Sequence, residues 1–180
     1  MLSDLKAGDI ILTRSDTLLS RIIRWAGKKR TGAARVSHAA MALGDLVVPA
    51  SCVESLWRVE VSPLSKYDGQ EMIVWRLIDM TDEERERMAV RALTQCNMSY
   101  DVFKILLFLL DCLFRTYFFT RLFGISNYKV CSNLIAWARE KENGRKFGIG
   151  WRSVQPDTID DWCRRNKKKA ELVYSTLKGH

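Results

Sequence analysis

Apolar positions in the first half of the chain come in short runs closed by turn residues, whereas in much of the second half they recur at helical spacing. Gly8-Asp9 ahead of Ile10, Ile11 and Leu12 predicts a turn feeding a short buried strand that ends at Thr13 and Arg14. Ser15 or Asp16 can cap a helix after it, since Leu18, Leu19, Ile22, Ile23 and Trp25 repeat at helical spacing until Gly27 and a basic loop. From Val36, small apolar residues run past His38 to Leu43 and close on Gly44-Asp45, the pattern of a strand ending in a turn. Residues 46–48, 52–61 and, after a loop at Pro63 and Gly69, 72–77 predict further strands; Val59 and Val61 alternate there with Arg58 and Glu60. The first half is therefore expected to be mostly sheet.

Thr81 begins a helix whose first turn holds Asp82, Glu83 and Glu84, as the helix dipole favours, and which is predicted to run to about residue 96. The second half is expected to be mostly helical. Its most apolar stretch, 102–123, is too often interrupted to span a bilayer: the run 105–110 between Lys104 and Asp111 is six residues, where about 20 are needed. Lys104, Asp111 and Arg115 fall on one side of a helix, so the stretch reads as an amphipathic insertion. Burial against the core is the first account of it. The second is a membrane-facing or acyl-chain-binding lip lined by Phe103, Phe108, Phe114, Phe118 and Phe119.

Composition narrows the picture. A chain of 180 residues with 47% apolar content can bury one substantial core and is short for two, so 1–180 is expected to be a single domain. Asp4, Lys6 and Asp9 interrupt the start where a secretory signal needs an unbroken apolar core, which predicts a cytoplasmic protein. The formal charge of +8 gathers at Arg24, Lys28, Lys29, Arg30 and Arg35 and again at Arg164, Arg165, Lys167, Lys168 and Lys169. Plain solvation is the first reading of these clusters and peripheral contact with an anionic membrane the second. Nucleic acid is disfavoured because no aromatics interleave the charges. The five cysteines, at 52, 96, 112, 131 and 163, form no CxxC pair and have no nearby histidine, so neither a disulfide framework nor a structural metal is expected, and no cofactor is called for.

Candidate chemistry centres on few residues. Of the two histidines, His180 is the last residue, which leaves His38; a histidine in a small apolar strand is open both to a packed role and to a catalytic one. Around Cys131, Tyr128 to Ala138 reads as a loop turning into a helix at the cysteine. Free amides and the dipole at a helix start favour a thiolate and can hold an oxyanion. The other thiols sit in or near predicted helices or, for Cys52, in a strand, where inert burial accounts for them. A cysteine nucleophile needs a base and a group that orients the base. Glu54 lies on the strand after the one carrying His38, where antiparallel pairing could set the two side by side; a solvated strand carboxylate is the alternative.

Gly8-Asp9-Ile10-Ile11-Leu12, Ser37-His38-Ala39-Ala40-Met41-Ala42, Val53-Glu54-Ser55, Pro63-Leu64-Ser65-Lys66-Tyr67, Tyr100-Asp101 and Val130-Cys131-Ser132-Asn133-Leu134-Ile135 together resemble the permuted papain-like, YiiX-type branch of the NlpC superfamily, to which lecithin-retinol acyltransferase relatives also belong. The order carries the resemblance, because the histidine strand precedes the cysteine helix. The resemblance implies an α+β, circularly permuted papain-like fold with a small antiparallel sheet packed with helices. It implies Cys131 as nucleophile, His38 as base, Glu54 as orienting residue and Tyr100 near the oxyanion. The interval from Tyr100 to Cys131 is longer than that pattern leads one to expect. The activity implied is a thiol hydrolase or acyltransferase that cleaves an amide, ester or thioester bond through a thioester intermediate, on an acyl or peptide substrate, with a lean toward lipid acyl groups. The alternative is a non-catalytic module that binds lipid or a partner on the same fold.

Overall fold

The computed structural model describes residues 4–15, 20, 21, 24, 25, 28, 35–55, 58–97, 114 and 131–177. Tyr100, Cys112, His180 and, apart from Phe114, the stretch 102–123 lie outside them. Phe114 itself is helical and exposed, and Ser20, Arg21, Arg24 and Trp25 are helical, as the spacing around them predicts.

Six strands, β1 (Ile10–Arg14), β2 (His38–Gly44), β3 (Ser51–Ser55), β4 (Val59–Pro63), β5 (Glu71–Leu77) and β6 (Ala170–Ser175), form one antiparallel sheet in the order β4-β3-β2-β1-β5-β6. β1 lies inside the sheet and is covered on both faces, which is why it reads as an unbroken apolar run rather than an alternating one. Its Ile10 and Leu12 join Met41, Leu43, Ile73 and Trp75 in the larger core, while Ile11 joins Ala40, Ala42, Cys52 and Val74 in a smaller one on the other face. Three α-helices, α1 (Asp82–Leu93), α2 (Cys131–Asn143) and α3 (Pro156–Arg165), contribute to the larger core through Met88, Leu134 and Ile159. Truncating a side chain such as Leu134 there costs about 2–5 kcal/mol through lost contact and the cavity left behind.

The entry into β1 is fixed by two features. Gly8 has φ +82°, and a Cβ there would fall 2.8 Å from the Cβ of Arg85, so both conformation and space demand glycine. Asp9, fully buried, takes a two-pronged bond from Arg76, 2.7 Å from Nε and 2.6 Å from Nη2. α1 starts with the capping box its sequence announces: Glu84 N–H donates to Thr81 Oγ1 at 3.2 Å and Thr81 N–H to Glu84 Oε2 at 2.9 Å.

Four sequence expectations need correction. Residues 46–48 are not a strand but the exposed tip of the β2–β3 hairpin, between Gly44 and Ala50, both at φ 54°. The run 52–61 is not continuous strand: it is divided between β3 and β4, which pair with each other. The second half also ends in a strand, β6, which its sequence concealed because an edge strand exposed along most of its length shows no alternation of apolar and polar residues. The C-terminal basic cluster and the cluster near residue 30 are not purely solvated either: Arg164 Nε donates to Asp160 Oδ2 at 2.8 Å and Arg35 Nε to the same oxygen at 2.9 Å, while Lys167, Lys168 and Lys169 are exposed.

Candidate active site

His38 opens β2, and alternation puts its side chain on the same face as Ala40 and Ala42. Glu54 pairs with Ala40 across the β2–β3 ladder, so it shares that face and stands diagonal to His38 rather than directly opposite. The diagonal closes to a bond of 3.0 Å between His38 Nε2 and Glu54 Oε2. Cys131 is the first residue of α2, next to His38 and the amides of Ala39 and Ser132, whose hydrogen bonding and charge act on its thiol. Three of the four residues expected at the site thus converge. The fourth, Tyr100, lies outside the described residues.

The electrostatics of the triad are coupled. Burial works against the imidazolium, but the hydrogen bond and negative charge of Cys131, then those of Glu54, outweigh it and raise His38 from 6.5 to about 9. Burial likewise works against the Cys131 thiolate, and is overcome by the hydrogen bond and charge of His38 and by the two amides, so the thiol is held below its ordinary value. Both shifts run the same way, toward thiolate and imidazolium. Glu54 is buried, which alone would favour its neutral form. Bonds from His38, Lys66 and Ser62 reverse that and hold it well below the usual carboxylate range.

Two residues around Glu54 had no role in the sequence reading beyond belonging to the run Pro63-Leu64-Ser65-Lys66-Tyr67. They sit on a short 3₁₀ turn, Leu64–Tyr67, under the smaller core. Lys66 Nζ lies 2.5 Å from Glu54 Oε1, and the Tyr67 hydroxyl donates to Oε2 at 2.7 Å. Burial and the neighbouring Cys52 and Glu54 push Tyr67 far above its ordinary value, so it remains a donor. The only signal in the sequence was the juxtaposition of a lysine and a tyrosine after a proline-closed strand.

A second set of contacts ties the neighbourhoods of Cys131 and His38 together. Ser132 Oγ donates to the Val154 carbonyl at 2.9 Å, and Asn133 Nδ2 donates to Trp151 and Val154 carbonyls at 2.6 and 2.9 Å. That segment leads into α3, whose Asp157 Oδ1 accepts the amides of Arg35 and Val36 at 2.8 and 3.2 Å, just ahead of His38. The residues immediately after Cys131 and those two and three positions before His38 are therefore tied to one another through α3.

The remaining described thiols contrast with Cys131. Burial, then the charge of Glu54, pushes Cys52 up to about 12; burial raises Cys163 and Cys96 too. They are protonated and poor nucleophiles, as expected of packed thiols.

No family model and no curated protein sequence matches this chain. Among solved structures, the crystal structure of yiiX from Escherichia coli O157:H7 is similar to it with TM-score 0.58 at 18% sequence identity, over 95% of this chain and 89% of that one. That protein is described as a metalloprotein; among the described residues here, no group of three or more His, Cys, Asp or Glu side chains is arranged to hold a metal ion. Also among the described residues, no helix is long and apolar enough to cross a membrane. At this identity the likeness is one of fold: the chain has an α+β, YiiX-like architecture built on an antiparallel sheet.

Proposed function

We propose that this protein is a cysteine-nucleophile acyl hydrolase or acyltransferase on a permuted papain-like fold, with Cys131 as nucleophile, His38 as acid and base, and Glu54 as the residue that orients His38. The observation that supports this most is the 3.0 Å bond from His38 to the buried Glu54 carboxylate beside the Cys131 thiol at the start of α2, where His38 is pushed up and Cys131 down. A thiolate already formed in the resting state needs no base to attack.

In the proposed reaction the Cys131 sulfur adds to the substrate carbonyl carbon and the carbonyl electron pair moves to oxygen. As the tetrahedral adduct collapses, the bond to the amine, alcohol or thiol breaks, and that group takes the proton from the His38 imidazolium. The thioester left on Cys131 is attacked by water or another acceptor, whose proton returns to His38; the carbon–sulfur bond breaks and the ion pair is restored. Amides donating at the helix start suit the developing oxyanion. Acyl groups of lipid character are the substrate class we favour, from the phenylalanine-rich composition of 102–123.

Intact-mass spectrometry after treatment with an epoxide or acyl electrophile tests this. Rapid labelling by one equivalent, lost in both Cys131→Ala and His38→Ala, is the expected result. Slow labelling spread over several cysteines sinks it and favours a binding module, which liposome flotation of Cys131→Ala would then detect.

A further inference from the structure

Glu54 has more partners than orientation of an imidazole requires. Its Oε2 serves His38 and Tyr67, and its Oε1 is covered by the Lys66 ammonium at 2.5 Å. The carboxylate is fully buried while the lysine side chain is 36% exposed, so a surface cation reaches inward to an interior anion. A buried carboxylate with no cation on its second oxygen would bind its imidazolium so firmly that the proton would be given up to a leaving group only with difficulty. A cation there offsets that pull and leaves the hydrogen bond intact.

We propose that Lys66 is a positioning residue that acts through Glu54, neutralising its outer oxygen and thereby setting the pH window in which Cys131 and His38 exist as an ion pair. This rests on the reading of that pair as nucleophile and base. Among the described residues, the other groups facing the pair are Cys52 and Ser62 on β3 and β4, Tyr67 on the 3₁₀ turn, and Glu60, which stands opposite Glu54 on β4 and is bonded at 3.1 Å to Arg58. Glu60 and Arg58 offset each other through that bond. Lys66 is the cation bonded to Glu54 itself.

The sign follows from electrostatics. Loss of the Lys66 charge makes the neighbourhood more negative, which strengthens the imidazolium and weakens the thiolate. Both limbs of the profile therefore move to higher pH. Solvent exposure of the lysine moderates the shift to about half a pH unit or more.

The experiment is the rate of iodoacetamide alkylation at Cys131 against pH, read on the Cys131 peptide by mass spectrometry, in wild type, Lys66→Met, Lys66→Gln and Lys66→Arg. Both limbs should rise in Lys66→Met and Lys66→Gln, and Lys66→Arg should track wild type. Lys66→Gln keeps a donor to Oε1 without charge, so a wild-type profile in that variant overturns the electrostatic role even if Lys66→Met does not fold. If wild-type Cys131 itself titrates as an ordinary thiol, the catalytic reading falls first and this inference with it; a low-pH thiolate in wild type with no movement in either neutral variant overturns the Lys66 role alone.

Discussion

The two ends of α2 bury charge in opposite ways. At the N-terminus, Cys131, His38 and Glu54 form a chain in which the buried carboxylate is met by donors on both oxygens. Toward the C-terminus, Arg139 is fully buried, donates to Asp79 Oδ2 at 2.8 Å, and leaves Nε and Nη1 without hydrogen-bond partners, as is Asp79 Oδ1. What covers that guanidinium instead is aromatic: its centre lies 4.4 Å from the ring of Phe147 and 4.2 Å from that of Trp162. Burial lowers the Arg139 pKa more than Asp79 raises it. At one end the buried carboxylate meets polar partners on both oxygens. The other packs a cation against two rings set edge to face and ties α2 to the end of β5. Buried charge is satisfied by hydrogen bonds at the first end and largely by aromatic contact at the second.

Removal of the sulfur gives the sharpest break. Cys131→Ala should lower turnover of any acyl substrate by ~10⁴-fold or more, because residues that act as a unit fail together. Its thermal midpoint should stay close to wild type, and a comparable loss of stability would erase the distinction between the two ends. Arg139→Ala should do the converse. Losing the 2.8 Å bond, with Arg145 left at 3.5 Å from Asp79, costs about 1.5–3 kcal/mol in denaturant unfolding, while the pH profile of Cys131 alkylation in the folded fraction stays unchanged.

Glu54→Gln probes the coupling inside the N-terminal network. Without the carboxylate the imidazolium loses its anionic partner, so the alkaline limb of activity should move from about 9 toward 6.5. The rate at the optimum should fall roughly 100-fold. A rate profile with an unmoved alkaline limb would show that Glu54 does not hold the proton on His38.

The smallest effect concerns Asp157, which burial raises from 3.8 to about 6 against the amides of Arg35 and Val36. A carboxylate whose folded value is raised contributes stability that is present below the unfolded value and lost as pH rises through the folded one. Relative to Asp157→Asn, wild type should therefore gain stability as pH falls from about 6 toward 4, by at most about 1.4 kcal/mol per pH unit. Parallel stability curves for the two proteins across that range would remove Asp157 from the titrating groups that tie α3 to β2.

By itself the sequence determined the elements whose signals are local. The apolar run at β1, the Thr81 cap of α1 and the helix that begins at Cys131 each depend on neighbouring residues, and each stands where its pattern predicts. His38 and Cys131 could be singled out because one histidine and one helix-start thiol are scarce in this chain. The tertiary structure decided what depends on register and edges. A hairpin register set Glu54 diagonal to His38, the 3₁₀ turn carried Lys66 and Tyr67 under the sheet to reach it, and β6 became a strand only by pairing with β5. Charge partnerships such as Lys66 with Glu54, twelve positions apart, and Arg35 with Asp160, 125 positions apart, follow from that arrangement. The physical reason is range: capping and periodicity act within a few residues along the chain, whereas the desolvation and pairing that fix a site's charges exist only once distant segments have excluded water together.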